Sequence, residues 1–213
     1  MNASHEITPA SVAQDSGSVA PVLPPAVPRR SSAIGRFIGR IGFLLFDWKV
    51  SGNFPDLPKM VVIVAPHTSN WDFVTGLWAY LALDINATWF GKHTLFMWPF
   101  GALFRHFGGI PIERDSRRAA NVVDLYVDEL DKRGAMVLAI APEGTRKKVR
   151  EWKSGFYRIA VKAGVPIVSV GLDYATSRVI IGDPFYPTGD WELDIPKIKA
   201  LFDGVTAKHP DQF

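Results

Sequence analysis

Hydrophobic and polar positions change their rhythm at residue 34. Ile34, Phe37, Ile38, Ile41, Leu44, Leu45 and Trp48 recur at spacings of three and four, which gathers side chains on one face of an α-helix. Arg36, Arg40 and Asp47 fall opposite. This predicts an amphipathic helix over 34–50, with two uses open. One is a helix packed on its own core. The other is an interfacial helix whose Trp and Phe enter the lipid boundary while its arginines meet anionic headgroups. Phe43 and Phe46 lie off the stripe and leave more hydrophobe than one buried face needs, which favours lipid. The charges, and a length short of the ~20 residues a span requires, argue against a transmembrane helix.

After a turn at 51–55 (SGNFP), residues 60–65 (MVVIVA) form an unbroken apolar run of strand length. Residues 70–83 read as a helix and 87–90 as a short strand. An aromatic-dense segment over 95–107 is interrupted by Pro99 and Gly101. A short strand at 109–112 precedes a helix over 117–132 that stops before Gly134, as helices tend to. Residues 135–141 (AMVLAIA) form a second buried strand, 156–163 a helix closed by Gly164, 166–170 and 179–181 strands, and 190–202 mostly helix. Strands alternating with helices predict an α/β fold, a mixed and largely parallel sheet flanked by helices. The domain is expected over 51–213, with the amphipathic helix ahead of it.

Residues 1–33 hold five of the sixteen prolines, six Ser, six Ala and no aromatic residue. Such a stretch buries too little apolar surface to offset its chain entropy, so a disordered tail is expected. Glu6, Asp15 and the scattered prolines interrupt any apolar core of a signal peptide. Across the 213 residues, 47% are hydrophobic and 21% charged, with a net charge of +3 and no Cys. That excludes a disulfide scaffold, Cys-ligated zinc and a thiol nucleophile, and the charge is too weak to argue for nucleic acid.

The two most apolar strands end alike, in Ala65-Pro66-His67 and Ala141-Pro142-Glu143. Sites in open α/β sheets lie beyond the carboxyl ends of the strands. If these strands are parallel neighbours, His67 and Glu143 emerge on one rim. Asp72 follows His67 across a strand-to-helix turn, where its carboxylate can fix the imidazole tautomer and free the other nitrogen as a base. The helix start also offers backbone N–H groups to an anion. Ser69-x-x-Asp72 equally matches a capping box, with the carboxylate returning to the backbone. There is no Cys and no Gly-x-Ser-x-Gly elbow, so a basic His67 would act on a hydroxyl brought by a substrate. His5, His67, His93, His106 and His209 are scattered without a metal-ligand spacing.

From Glu143 to Arg158 six basic residues face two acidic ones, a local +4. Gly144 and Thr145 beside Arg146 suit a phosphate, since small residues expose N–H groups and a guanidinium binds bidentately. Arg114, just past the strand ending at Ile112, is a second candidate, while Lys147, Lys148 and Arg150 read as a solvated face.

These residues resemble the glycerolipid acyltransferases, the 1-acylglycerol-3-phosphate acyltransferase family. His67 through Asp72 is similar to its His-x4-Asp motif, 109–114 (GIPIER) to its second motif, and Glu143-Gly144-Thr145-Arg146 to its third. Val165-Pro166-Ile167-Val168 resembles its fourth. Lys92 with Leu95, and Lys153-Ser154-Gly155, stand where the family tends to have a Lys-x-x-Leu and a Lys-x-Gly. The resemblance covers about 34–202 and implies direct transfer. His67 would deprotonate an acceptor hydroxyl that attacks the thioester of acyl-CoA or acyl-carrier protein, and Asp72 would orient His67. Arg114 and Arg146 would hold the acceptor's phosphate, Glu143 and Gly144 would shape that pocket, and Pro166 would lie near the thioester. No metal or cofactor is implied.

Pro66, the Pro-Ile-Glu-Arg run, Lys147 and Ser169 depart from the family's usual residues, which leaves the acceptor open: lysophosphatidate, another lysophospholipid or a lyso-aminolipid. A thioester hydrolase or a non-catalytic lipid-binding protein are the rival readings. The 95–107 segment fits core, the wall of an acyl tunnel or a second membrane surface. The expected location is the cytoplasmic face of a membrane, peripheral or monotopic, with no nucleic-acid partner.

Overall fold

The computed structural model describes residues 19–112 and 119–213. In chain order the elements are α1 (Ala33–Leu45), β1 (Lys49–Ser51), β2 (Lys59–Ala65), α2 (Asn70–Ala82), β3 (Ala87–Lys92) and a 3₁₀ turn (His93–Phe96). There follow α3 (Gly101–His106), β4 (Gly109–Ile112), α4 (Ala119–Lys132), β5 (Met136–Ile140) and α5 (Gly155–Ala163). The chain closes with β6 (Ile167–Asp173), β7 (Arg178–Phe185), α6 (Trp191–Ala200) and a 3₁₀ turn (Pro210–Gln212).

The strands form one seven-stranded sheet in the order β1-β7-β6-β2-β5-β3-β4. Every pairing is parallel except β6 with β7, as the mixed, largely parallel sheet expected from the alternation requires. Because β2 is buried on both faces, its side chains divide between two cores. Met60 and Val62 join Phe43, Ala79, Leu83 and Val137 under α1 and α2. Val61 and Ile63 join Leu130, Leu138, Phe156 and Ile198 under α4, α5 and α6. β2 pairs directly with β5 (Ile63 opposite Ile140) and with β6 (Ala65 opposite Gly171), so all three deliver their carboxyl ends to one rim.

Two expectations need correction. The segment read as tail from its composition extends, from Val19 onward, along the body of the protein. Ala20, Leu23 and Val27 are buried, and the backbone is taken up by Val50 N–H to Val19 O, Asn86 N–H to Pro28 O and Arg30 N–H to Asp84 O. A Pro- and Ala-rich strap needs no core of its own when neighbouring elements satisfy its polar groups; residues 1–18 lie outside the described residues. The helix expected to reach residue 50 stops at Leu45, the chain turns at Asp47 with φ 52°, and Lys49 and Val50 enter β1. Trp48 is thereby drawn off the stripe and buried.

α1 also packs in an unexpected sense. Gly35, Gly39 and Gly42 are buried against α2. A Cβ on Gly42 would stand 2.6 Å from the Trp78 ring, and one on Gly39 would strike the backbone of Leu81 and Ala82. Glycine thus lets the two helices touch backbone to backbone. The apolar stripe consequently faces away: Ile34 (75% exposed), Phe37 (64%), Leu44 (66%) and Leu45 (75%) lie mostly open. Arg36 and the Ser32 N–H both bind the Asp84 carboxylate at the end of α2, at 2.7 and 3.0 Å, pinning the start of α1.

Candidate active site

His67 leaves β2 at the rim, two residues before Ser69 caps α2. The Ser69 hydroxyl accepts the Trp71 N–H, and Asp72, third residue of the helix, turns back to complete a capping box. Asp72 Oδ2 accepts from the Thr68 and Ser69 N–H groups at 2.6 Å each and stands 3.5 Å from His67 Nδ1. The two uses of this carboxylate weighed from the sequence are therefore compatible: one oxygen caps the turn and faces the imidazole. Burial alone would raise the Asp72 pKa, but hydrogen bonds from His67, Tyr174 and the Ser69 N–H, together with the charge His67 can carry, outweigh it and hold the carboxyl below its usual value.

Glu143 reaches the same turn from the other side. It follows β5, the neighbour of β2, and its two carboxylate oxygens accept the His67 N–H at 2.9 and 3.1 Å. It is buried, which pushes its pKa up to about 7; the His67 N–H and charge oppose the rise and the Asp72 charge adds to it. Glu143 thus braces the main chain of His67, where the sequence reading had it shaping a substrate pocket. Four N–H groups of this turn have acceptors within it: His67 donates to Glu143, Thr68 and Ser69 to Asp72, and Trp71 to the Ser69 hydroxyl.

The cationic end of the site comes from the next loop. Gly144 takes φ 65°, a conformation that favours glycine, and the Lys153 side chain lies across it, within 3.0 Å of where a Cβ would stand. The Gly144 N–H donates to Ala141 O and the Lys153 N–H to Pro142 O, so the loop folds on itself. Thr145, Arg146 and Lys153 line, with His67 and Asp72, a cavity of about 810 Å³ whose interior is apolar: Val62, Val64, Phe73, Leu77, Tyr80 and Trp89 are among its walls. An imidazole–carboxylate pair, a cationic loop and an apolar chamber hence share one space. Among the described residues, no group of three or more His, Asp or Glu side chains is placed to hold a metal ion.

Of the remaining sequence candidates, one stands apart from this cluster. Pro166 precedes β6 and gives its carbonyl to the Val61 N–H, near the amino ends of the strands and opposite the rim where His67 sits. Lys92 ends β3, level with Ile112 of β4, so its main chain is at the rim. Arg114 lies outside the described residues. The residue that sequence reading missed is Tyr174, just beyond β6, whose hydroxyl donates to Asp72 Oδ1 at 2.7 Å. The fourth motif marks the right strand, but its proline marks the far end. The 95–107 segment supplies Leu95 and Phe107 to the cavity, buries Phe96, and leaves Met97, Trp98 and Phe100 exposed.

A family model described as Acyltransferase matches residues 49–173. The chain is 30% identical over 170 residues to a 1-acyl-sn-glycerol-3-phosphate acyltransferase of Salmonella typhimurium, covering 76% of this chain and 68% of that one. It is 28% identical over 170 residues to the Escherichia coli protein of the same name, with the same coverage. A chloroplastic relative of Brassica napus, also a 1-acyl-sn-glycerol-3-phosphate acyltransferase, is 30% identical over 154 residues, 63% of this chain and 43% of the relative. The crystal structure of the 1-acyl-sn-glycerophosphate acyltransferase PlsC from Thermotoga maritima shares the fold, with a TM-score of 0.59, 23% identity, and coverage of 81% of this chain and 77% of that one.

Proposed function

The chain belongs to the acyltransferase family, and we propose that it moves a fatty acyl group from acyl-CoA or acyl-carrier protein to the free hydroxyl of a lysophospholipid, 1-acylglycerol-3-phosphate giving phosphatidate. The observation that carries this reading is the placing of His67 and Asp72 in a cavity that also holds Arg146 and a largely apolar interior. With Nδ1 directed at Asp72, Nε2 is the nitrogen that takes the proton from the acceptor hydroxyl. The oxygen attacks the thioester carbonyl, the tetrahedral oxyanion collapses, and the departing thiolate takes the proton back from the imidazolium. General-base action of this kind contributes roughly 10²–10⁴-fold, and holding both substrates in register contributes comparably or more. The thioester brings its own activation, so the reaction asks for no resident metal or cofactor. Arg146 and Arg114 receive the acceptor phosphate, with Lys153 lining the same cavity as Arg146, Lys92 is a further substrate contact, and the apolar chamber receives an acyl chain.

The enzyme works at a membrane surface in this reading. Among the described residues no helix is long and apolar enough to cross a membrane, while α1 presents Ile34, Phe37, Ile38, Ile41, Leu44 and Leu45 to the outside. Such a face suits partial burial among acyl chains, on the cytoplasmic side where the thioester donors are. The test is transfer from labelled acyl-CoA or acyl-carrier protein in mixed micelles, with and without lysophosphatidate, by wild type and His67→Ala. Lysophosphatidate-dependent transfer lost in His67→Ala is expected. Transfer confined to another lysolipid or an aminolipid would change the acceptor, thioester loss without acceptor would replace transfer by hydrolysis, and no turnover would leave a lipid-binding protein.

A further inference from the structure

We propose that Tyr174 is a positioning residue of the His67–Asp72 pair, fixing the carboxylate so that one oxygen stays turned to the imidazole. The inference rests on the reaction proposed above. Asp72 is almost wholly buried, and its two oxygens have separate tasks. Oδ2 is taken by the Thr68 and Ser69 N–H groups and faces His67 Nδ1. For Oδ1 the partner is the Tyr174 hydroxyl, at 2.7 Å. A buried carboxylate oxygen deprived of its donor seeks another, by rotating or by admitting water. Rotation about the terminal torsion would carry Oδ2 away from the imidazole.

The hydroxyl is itself held. Its ring meets Trp48 edge-on, with centroids 5.0 Å apart at 83°, and the Lys208 ammonium lies 5.1 Å from the ring centroid. The Tyr174 N–H donates to Thr206 O. Burial first, then the Asp72 charge, pushes the phenol pKa far up, so it remains a donor throughout the working pH range. With its hydroxyl committed to Asp72, Tyr174 acts through that carboxylate. Trp48 stands three residues past the last residue of α1, so the same aromatic pair joins the end of the exposed helix to the catalytic turn.

The test is Tyr174→Phe, which keeps the ring against Trp48 and removes only the donor, in a cycle with Asp72→Asn. Tyr174→Phe should lower kcat by about ten- to a hundredfold, the range of a hydrogen bond to a charged group, with KM for donor and acceptor unchanged. In the Asp72→Asn background the same change should cost nothing further, because Tyr174 then has no charge to orient. Wild-type kcat in Tyr174→Phe, or a loss that stacks in full on Asp72→Asn, overturns the assignment. A wild type inactive with every acceptor would sink the proposed reaction instead. The His67 Nδ1–H resonance of ¹⁵N-histidine-labelled protein then decides alone: a shift in Tyr174→Phe upholds the assignment, and an unmoved signal refutes it.

Discussion

Replacing Glu143 by Gln separates a brace from a substrate contact, because the two roles leave different traces. Burial raises the Glu143 pKa from 4.5 to about 7. A carboxyl whose pKa is higher in the folded state is bound more tightly by protons there, so its contribution to stability is greatest below about pH 4.5. It declines as pH climbs through the window from 4.5 to about 7 and levels off above. The shift corresponds to about 3 kcal/mol across the window. Asp72, Asp173 and Asp194, all held below the usual range by hydrogen bonds that outweigh burial, act in the opposite sense and at lower pH, where stability is lost as they take up protons.

Gln is neutral throughout and retains one oxygen to accept the His67 N–H. Glu143→Gln should therefore flatten the fall in stability between pH 5 and pH 8. About 2.5 kcal/mol of that change falls between pH 5 and pH 8, so relative to wild type its melting temperature should gain about 5–10 °C over that interval, from ~2–4 °C per kcal/mol in a chain of this size. Transfer should suffer in kcat, by about tenfold for exchanging a charge-assisted bond under His67 for a neutral one, with the acceptor KM unmoved. Thermal unfolding against pH, alongside steady-state kinetics, checks both. An acceptor KM that rises at constant kcat would refute the brace and return Glu143 to the substrate pocket. A pH slope that survives the substitution would refute the electrostatic part.

Gly39→Ala should destabilise the protein by about 1–3 kcal/mol, since its Cβ has no room against Leu81 and Ala82; thermal unfolding would show a fall of about 2–12 °C. Phe37→Ser with Leu44→Ser, both on exposed positions, should leave the melting temperature unchanged yet weaken binding to anionic vesicles by about a hundredfold or more, at ~1.5–3 kcal/mol per side chain; flotation decides it, and undiminished binding would remove α1 from the interface. Arg146→Ala should raise KM for a phosphate-bearing acceptor by about ten- to a hundredfold and leave transfer to an acceptor without phosphate untouched.

What the sequence disclosed depends on how local each signal is. β2 and β5 are legible because both faces of each are buried, so no polar residue interrupts 60–65 or 135–141, and their shared Ala-Pro endings place His67 and Glu143 on one rim. The sequence pattern marks three residues of β7 where the strand runs for eight, because Gly182, Asp183 and Pro184 mask a strand held by its antiparallel contact with β6. The strap from Val19 was unreadable for a related reason: its hydrogen-bond partners, Val50, Asp84 and Asn86, are far along the chain. Tyr174 joins Asp72 across 102 residues, and no spacing rule reaches that far.

α1 shows where periodicity stops being informative. Its apolar stripe is real, but a stripe says which side chains avoid water and nothing about what covers them. The deciding residues are the ones with no hydrophobicity to register. Gly35, Gly39 and Gly42 repeat at the same helical spacing on another face, and only there can the backbone of α2 come close enough to exclude solvent. A helix that presents three glycines and Phe43 to its own protein, and its remaining Phe, Ile and Leu outward, has largely reversed the usual division of a surface helix. Burial on α2 rests on close backbone approach and van der Waals contact, as between helices in lipid. The apolar face is left over for a second solvent. If α1 instead served its own core, substituting its exposed stripe would cost stability and substituting the glycines would not; the structure requires the reverse, and the Gly39 and Phe37/Leu44 variants test both halves of that statement.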